Sequence, residues 1–274
     1  MKTKYSSLFS LPYLIWSLIF IIVPMGLVVV FAFTTEGGQF TLDYVSQVGE
    51  YTNVLVRSVW LAAIATIICL LIGYPLAFIM SRMPGFQQRT MLMLIMLPMW
   101  MNFLLRTYAW MTILEKNGLL NKLFGLVGLG PFDMINTQGA VVLGMVYNYL
   151  PFMILPLYSI MTKIDNRTIE AAQDLGANTK NVFTRIVIPM SMPGISTGIT
   201  MVFVPSVSTF IISRMLGGGG NLLIGDLIDL QFLGNAYNPH LGSAISLVLM
   251  VLILLCMSIL NQFNSDEDRE GMLL

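Results

Sequence analysis

The sequence predicts an all-α membrane protein with six transmembrane helices, and three observations carry that expectation. Of its 274 residues, 56% are hydrophobic and only 10% are charged, against roughly 25% charged in an ordinary soluble domain. Charge-free windows run over 5–35, 58–81, 90–105, 134–162, 186–213 and 230–265, and a bilayer-spanning helix needs about 20 apolar residues. The remaining polar stretch, KIDNRTIEAAQDLGANTKNVFTRIVIP at 163–189, is a charged insert between two apolar runs. A segment of that kind needs a partner on the water side.

The first span is expected near 9–33. Its apolar run is too long for a signal-peptide core, so it is read as retained behind Lys2 and Lys4. Further spans are expected near 54–81, 90–114, 139–162, 190–213 and 242–262, the third continuing past Arg106 toward Leu114. Together they make one transmembrane domain over 1–274. With the N-terminus inside, Lys2, Lys4, Arg82, Arg89, Lys163, Arg167, Lys180, Arg185 and Arg269 fall on the cytoplasmic side. Arg57, Lys116, Lys122 and Arg214 fall on the other side. The excess predicts both termini inside the cell.

Net charge is zero, with 14 basic and 14 acidic residues, so nothing suggests nucleic acid. Cys69 and Cys256 lie in apolar stretches of different spans, where thiols act as small hydrophobes. Pro24, Pro75, Pro98, Pro151, Pro156 and Pro205 fall within or at the ends of spans and suit bent helices around a path. Four consecutive glycines at 217–220 precede Leu222, Leu223, Leu227, Ile228 and Leu230. That stretch reads either as a hinge followed by a short amphipathic helix near the outer mouth or as a covered loop.

Inside the insert, Asp165 or Asn166 is placed to cap a helix over 167–175, and Gly176 to end it in a left-handed conformation. Asn178 or Thr179 then starts a second helix expected to stop at Ile188, before Pro189. Ala171 and Ala172 leave a narrow surface for close approach, and Glu170 and Asp174 share one side. The spacing Glu170-Ala171-Ala172, three residues, Gly176, nine residues, Ile186-x-Ile188-Pro189 resembles the EAA motif of binding-protein-dependent ABC importer permeases. Its one departure is Ile188 where leucine is usual.

Leu71-Ile-Gly73-Tyr-Pro75-Leu-Ala-Phe78, Asn102-x3-Arg106-x-Tyr108, Tyr147-x3-Pro151-Phe-Met and Asn221-Leu-Leu-Ile-Gly225 extend the resemblance along nearly the whole chain. They look like the B-type permease subunit of spermidine/putrescine ABC importers. The resemblance implies a type I ABC importer permease fold whose cytoplasmic coupling helix seats in an ATPase. It also implies a second permease, two ATPase subunits, an extracytoplasmic binding protein and a polyamine substrate in the inner membrane of a bacterial cell. Glu170, Ala171, Ala172, Asp174 and Gly176 would form the ATPase-coupling surface. The chain lacks GxxxxGK[ST], so ATP and magnesium belong to the partner and this chain binds no cofactor itself. Neither HExxH nor GxSxG is present to suggest an enzyme.

A polycation path calls for carboxylates and aromatic faces. The candidates are Trp100, Tyr108, Trp110, Tyr147, Asp226 and Asp229, with Tyr149 adding aromatic surface. The two acids depart from the family pattern and stand beside the outer mouth, or contact the binding protein, or pair with Arg214. Equally, aromatic belts and solvated acids occur in membrane proteins of every kind. Arg106 reads as an intramembrane structural charge awaiting carbonyls or a partner's acid, and His240 reads as a loop residue before the last span. Gly73, Gly194 and Gly198 suit tight helix crossings. Permeases for an amino acid, a phosphonate or iron, and a stand-alone carrier, remain the alternatives.

Overall fold

The computed structural model describes residues 12–270, with side chains placed as far as Ile259. Lys2 and Lys4, and the side chains of the acidic tail 265–270, lie outside the described residues. Apart from a single bridge between Thr34 and Phe40, the described secondary structure is helical. The helices of six residues or more are α1 (Pro12–Ala32), α2 (Thr52–Ser81), α3 (Gly85–Trp100), α4 (Phe103–Leu114), α5 (Leu119–Leu126), α6 (Gln138–Met161), α7 (Asn166–Asp174), α8 (Thr179–Ser208), α9 (Ile211–Leu216), α10 (Ile224–Leu233) and α11 (Pro239–Glu270). α1, α2, α6, α8 and α11 are each long and apolar enough to cross a bilayer, and α3 with the stretch Phe103–Leu126 that holds α4 and α5 forms a sixth, broken candidate.

The break corrects the expectation of one continuous third span. Beyond α3 the chain turns by 89°. Pro98 removes a backbone donor near the end of α3. Met101 and Asn102 are extended, and the Asn102 side chain accepts from Leu104 N at 2.8 Å and Leu105 N at 3.4 Å, capping a new helix. A charge-free window reports hydrophobicity, not this local stop signal. Arg106 therefore sits in the second turn of α4, beyond the break, rather than midway along a straight span.

α8 corrects a second expectation. Its helical path begins at Thr179 and continues through Pro189 to Ser208. A wide π turn at Phe183–Val187 absorbs the proline, which lacks the N–H that would otherwise close onto the carbonyl one turn earlier.

Two compact units can be distinguished. One holds the chain up to Asn53 with Leu227–Leu254, the other Val54–Asp226 with the residues from Leu255 on. In the first, His240 belongs to the opening turn of α11 and not to a loop. It is nearly buried, its Nδ1 lies 3.0 Å from the Phe31 carbonyl, and its ring stacks on Tyr44 with centroids 5.5 Å apart. In the second unit the core lies along α2, α6 and α8. Cys69 and Ala77 of α2 meet Met153, Ile154 and Leu157 of α6 and Val202 of α8.

The three glycines singled out for crossings all face α6. A Cβ at Gly73 would stand 3.1 Å from Met153 Cγ, one at Gly194 3.1 Å from the Pro156 carbonyl, and one at Gly198 2.6 Å from Met153 Sδ and 3.3 Å from its carbonyl. Gly198→Leu is expected to force α8 off α6 at a cost of about 2 kcal/mol from overpacking. The thermal unfolding midpoint of the purified protein should fall, more than in a Gly198→Ala control, and equal midpoints would refute the crossing.

Candidate functional site

The polar insert folds from its ends inward. Asp165 has extended backbone and its Oδ1 accepts from Arg167 N at 3.0 Å, so Asp165, not Asn166, caps α7. At the far end Gly176 has φ +87°. Its N–H donates to Gln173 O at 2.9 Å while Ala177 N–H donates to Ala172 O at 3.0 Å. This pair of bonds is a Schellman motif, whose left-handed residue favours glycine. Asn178 then caps α8, its Oδ1 accepting from Asn181 N at 2.8 Å.

Ile164, Val182 and Val187 form a small buried cluster under the insert, with Ile169, Ala172, Ala177, Phe78 and Phe183 packed against it. Ala172 is thus turned inward and half-buried. The outward surface is Glu170, Ala171, Asp174 and Leu175, the last 90% exposed. Two carboxylates a turn apart flank a small residue, with an apolar side chain at the tip: a surface for another protein rather than a pocket for a small molecule.

The other predicted residues separate into groups. Trp110 of α4 and Tyr147 of α6 meet edge to face at 5.4 Å between centroids. They border a groove of about 720 Å³ whose opposite wall is Trp60, Ile64, Ile68 and Ile72 of α2. Trp60, which the sequence reading did not single out, belongs to that wall, and no acidic side chain lines it. Trp100, 73% exposed at the end of α3, and Tyr108, exposed on α4, are not part of it. The half-buried Tyr149 directs its hydroxyl to the Pro205 carbonyl at 3.4 Å.

The expected outer-mouth carboxylate Asp226 is placed differently: it has no exposed surface. Its Oδ2 accepts from Leu223 N at 2.8 Å, and its Oδ1 stands 3.8 Å from Arg214 Nε. Of the roles open to it in the sequence, pairing with Arg214 is the one this geometry displays. Asp229 is half-buried on α10. The glycine stretch before α10 is tied down rather than a free hinge. Arg57 donates from Nη1 to Gly220 O at 3.3 Å and from Nη2 to Leu222 O, Asn221 Nδ2 donates to Asn136 O at 2.9 Å, and Ile224 N donates to Ser58 Oγ at 2.8 Å. Arg106 is 8% exposed, its guanidinium 5.9 Å from the Phe103 ring, and its Nε and Nη1 have no hydrogen-bond acceptor among the described residues. Among the described residues no cluster of His, Cys, Asp or Glu is arranged to hold a metal.

Five or six helices long and apolar enough to cross a bilayer, one of them broken, together with a capped polar insert presenting carboxylates, mark a multi-pass membrane protein. The chain belongs to the family described as the binding-protein-dependent transport system inner membrane component, whose model matches residues 70–266. It is 40% identical over 265 residues to the spermidine/putrescine transport system permease protein PotB of Haemophilus influenzae, covering 93% of this chain and 92% of that one. Identity to PotB of Escherichia coli is 37% over 248 residues, covering 87% and 90%. The inner membrane ABC transporter permease protein YdcU of Escherichia coli is 27% identical over 229 residues, covering 78% and 72%.

Among solved structures, the fold is similar to that of a bacterial ABC transporter involved in import of the acidic polysaccharide alginate. The TM-score is 0.76 at 19% identity, over 96% of this chain and 94% of that one. A bacterial alginate ABC transporter in complex with an alginate pentasaccharide-bound periplasmic protein gives 0.78 at 18% identity, over 94% and 92%. These likenesses bear out the expected type I permease fold.

Proposed function

We propose that this chain is one of two permease subunits of an ATP-driven importer of spermidine and putrescine. The observation that carries the importer reading is the insert, a doubly capped pair of helices with Glu170, Ala171, Asp174 and Leu175 outward and the EAA spacing intact. Identity of 37–40% to the two PotB proteins over most of the chain supports the polyamine substrate. In this reading the insert lies on the cytoplasmic side with both termini and docks on one of two ATPase subunits, which hold ATP and magnesium. An extracytoplasmic binding protein delivers the polyamine to the opposite side. Glu170, Ala171, Ala172, Asp174 and Gly176 form the coupling element, with Ala172 and Gly176 shaping it from within.

Trp110 and Tyr147 lie along the path and offer ring faces to ammonium and methylene groups. Trp100, Tyr108 and Asp229 are assigned a secondary place near it. The groove that Trp110 and Tyr147 share with Trp60 has no carboxylate, so ring faces and methylene packing, not ion pairing, are what it offers a polyamine.

Uptake of labelled spermidine by cells with and without this gene, in a background lacking other polyamine importers, tests the substrate. Deletion is expected to abolish ATP-dependent uptake, with competition by unlabelled putrescine but not by amino acids or phosphonates. Unchanged uptake would remove polyamines from the reading while leaving the family intact.

A further inference from the structure

The covalent chain joins the insert to only two long helices, α6 through 162–165 and α8 through 177–178. α2 has no such link, yet its last turn reaches the insert. The turn between α2 and α3 is braced by Gln88, whose Nε2 donates to Ser81 O at 3.2 Å and to Met83 O at 2.8 Å, while Tyr158 of α6 donates its hydroxyl to Gln88 Oε1 at 2.9 Å. From this turn Arg82 Nη1 donates to Ile164 O at 3.3 Å and to Asn166 Oδ1. Those two acceptors stand on either side of Asp165, the cap of α7, so the guanidinium grips the point where the helix begins.

The grip has an aromatic base. Arg82 Cζ lies 5.4 Å from the Phe78 ring centroid, Phe78 and Tyr74 each meet Phe183 edge-on at 5.4 Å and 5.5 Å, and the Tyr74 hydroxyl is 2.8 Å from Ser191 Oγ on α8. Burial pulls the Arg82 guanidinium below its ordinary pKa range, a sign of a cation held partly out of water. Its Nε and Nη2 are buried without an acceptor among the described residues. A planar fork with donors in reserve can exchange one carbonyl for another as the insert moves, which a lysine ammonium does less well.

We propose that Arg82 is a positioning residue that carries displacement of the insert to α2 and α3, so that these helices move together with the covalently linked α6 and α8. The proposal rests on the reading of 163–189 as the ATPase-coupling insert. Losing the grip leaves α7 capped and its outward face unchanged, but frees α2 from its motion. ATP hydrolysis then proceeds without the full rearrangement of the bundle.

The test uses the complete importer, this chain with its partner permease, ATPase subunits and binding protein, in proteoliposomes, with labelled spermidine as probe. Arg82→Ala is expected to co-purify with its ATPase subunits while spermidine transported per ATP hydrolysed falls about tenfold, within the usual range of coupling between sites. Arg82→Lys should recover part of that ratio. Asn166→Ala, at an exposed position, should lower it about threefold, and the Arg82→Ala/Asn166→Ala pair should be no worse than Arg82→Ala alone, since Arg82→Ala already removes the contact that Asn166→Ala deletes. Should Arg82→Ala fail to assemble, Asn166→Ala alone decides. A wild-type ratio in Asn166→Ala and in any assembled Arg82→Ala complex overturns the proposal. Glu170→Lys, run in parallel, separates the two readings. Wild-type transport there would overturn the insert assignment itself, whereas its loss alongside wild-type ratios in the other variants would overturn the Arg82 role alone.

Discussion

Replacing Glu170 with lysine is expected to reduce transport about fiftyfold or more while leaving the permease folded and in the membrane, the magnitude of a strong coupling term between two sites. The selectivity of the effect follows from where the residue sits. Glu170 is exposed on the middle of α7, away from the Ile164, Val182 and Val187 cluster that anchors the insert. A change at such a surface position costs within about 0.5 kcal/mol of intrinsic stability. Its charge, however, belongs to a pair with Asp174 a turn away, and reversing it turns an acidic face into a mixed one against any basic groove. Affinity purification through the permease, quantifying ATPase subunits and spermidine uptake together, checks the result. Full uptake with ATPase still bound would show that the EAA surface does not couple.

The insert was also where local chemistry could be read most fully in advance. Asp165, Gly176 and Asn178 each act within three or four residues of themselves, through a cap or a left-handed turn. Such features survive whatever the rest of the chain does. The six apolar segments were equally legible, because the length a bilayer demands leaves little choice. What escaped the reading was set at longer range or by competition. The third segment satisfies every hydropathy criterion for a straight span, yet Pro98 and the capping Asn102 break it.

Pro189 carried the opposite error, since the π turn ahead of it lets α8 pass through a residue that looked like a stop. The grip of Arg82 on Ile164 and Asn166 spans more than 80 positions and has no sequence signature in a single chain, although a basic residue just past a helix C-terminus is electrostatically at home there. Trp60 likewise joins Trp110 and Tyr147 along one groove only through the packing of α2 beside α6.

Asp226→Ala is expected to destabilise the permease by about 2–3 kcal/mol. This carboxylate is fully buried and holds Leu223 N–H, itself buried, at 2.8 Å. Removing it strands that donor, at about 1–3 kcal/mol. The Arg214 contact at 3.8 Å contributes less, because its long distance and the half-exposed Arg214 side chain let water screen it. Asp226→Asn separates the two terms. The amide oxygen still accepts from Leu223 N–H, so that bond's share of the stability should remain while the interactions of the carboxylate charge are lost.

The same pair of variants distinguishes a structural carboxylate from one that meets the substrate. A carboxylate that binds a polyamine would show its loss in Asp226→Asn as a raised KM at unchanged thermal midpoint, because charge is what a dication reads. The buried geometry instead predicts near-normal KM in Asp226→Asn and, in Asp226→Ala, less folded protein in the membrane with a lowered unfolding midpoint. Uptake kinetics normalised to folded permease, measured beside thermal unfolding of both variants, decide between them. A raised KM in Asp226→Asn at normal stability would return this residue to the translocation path.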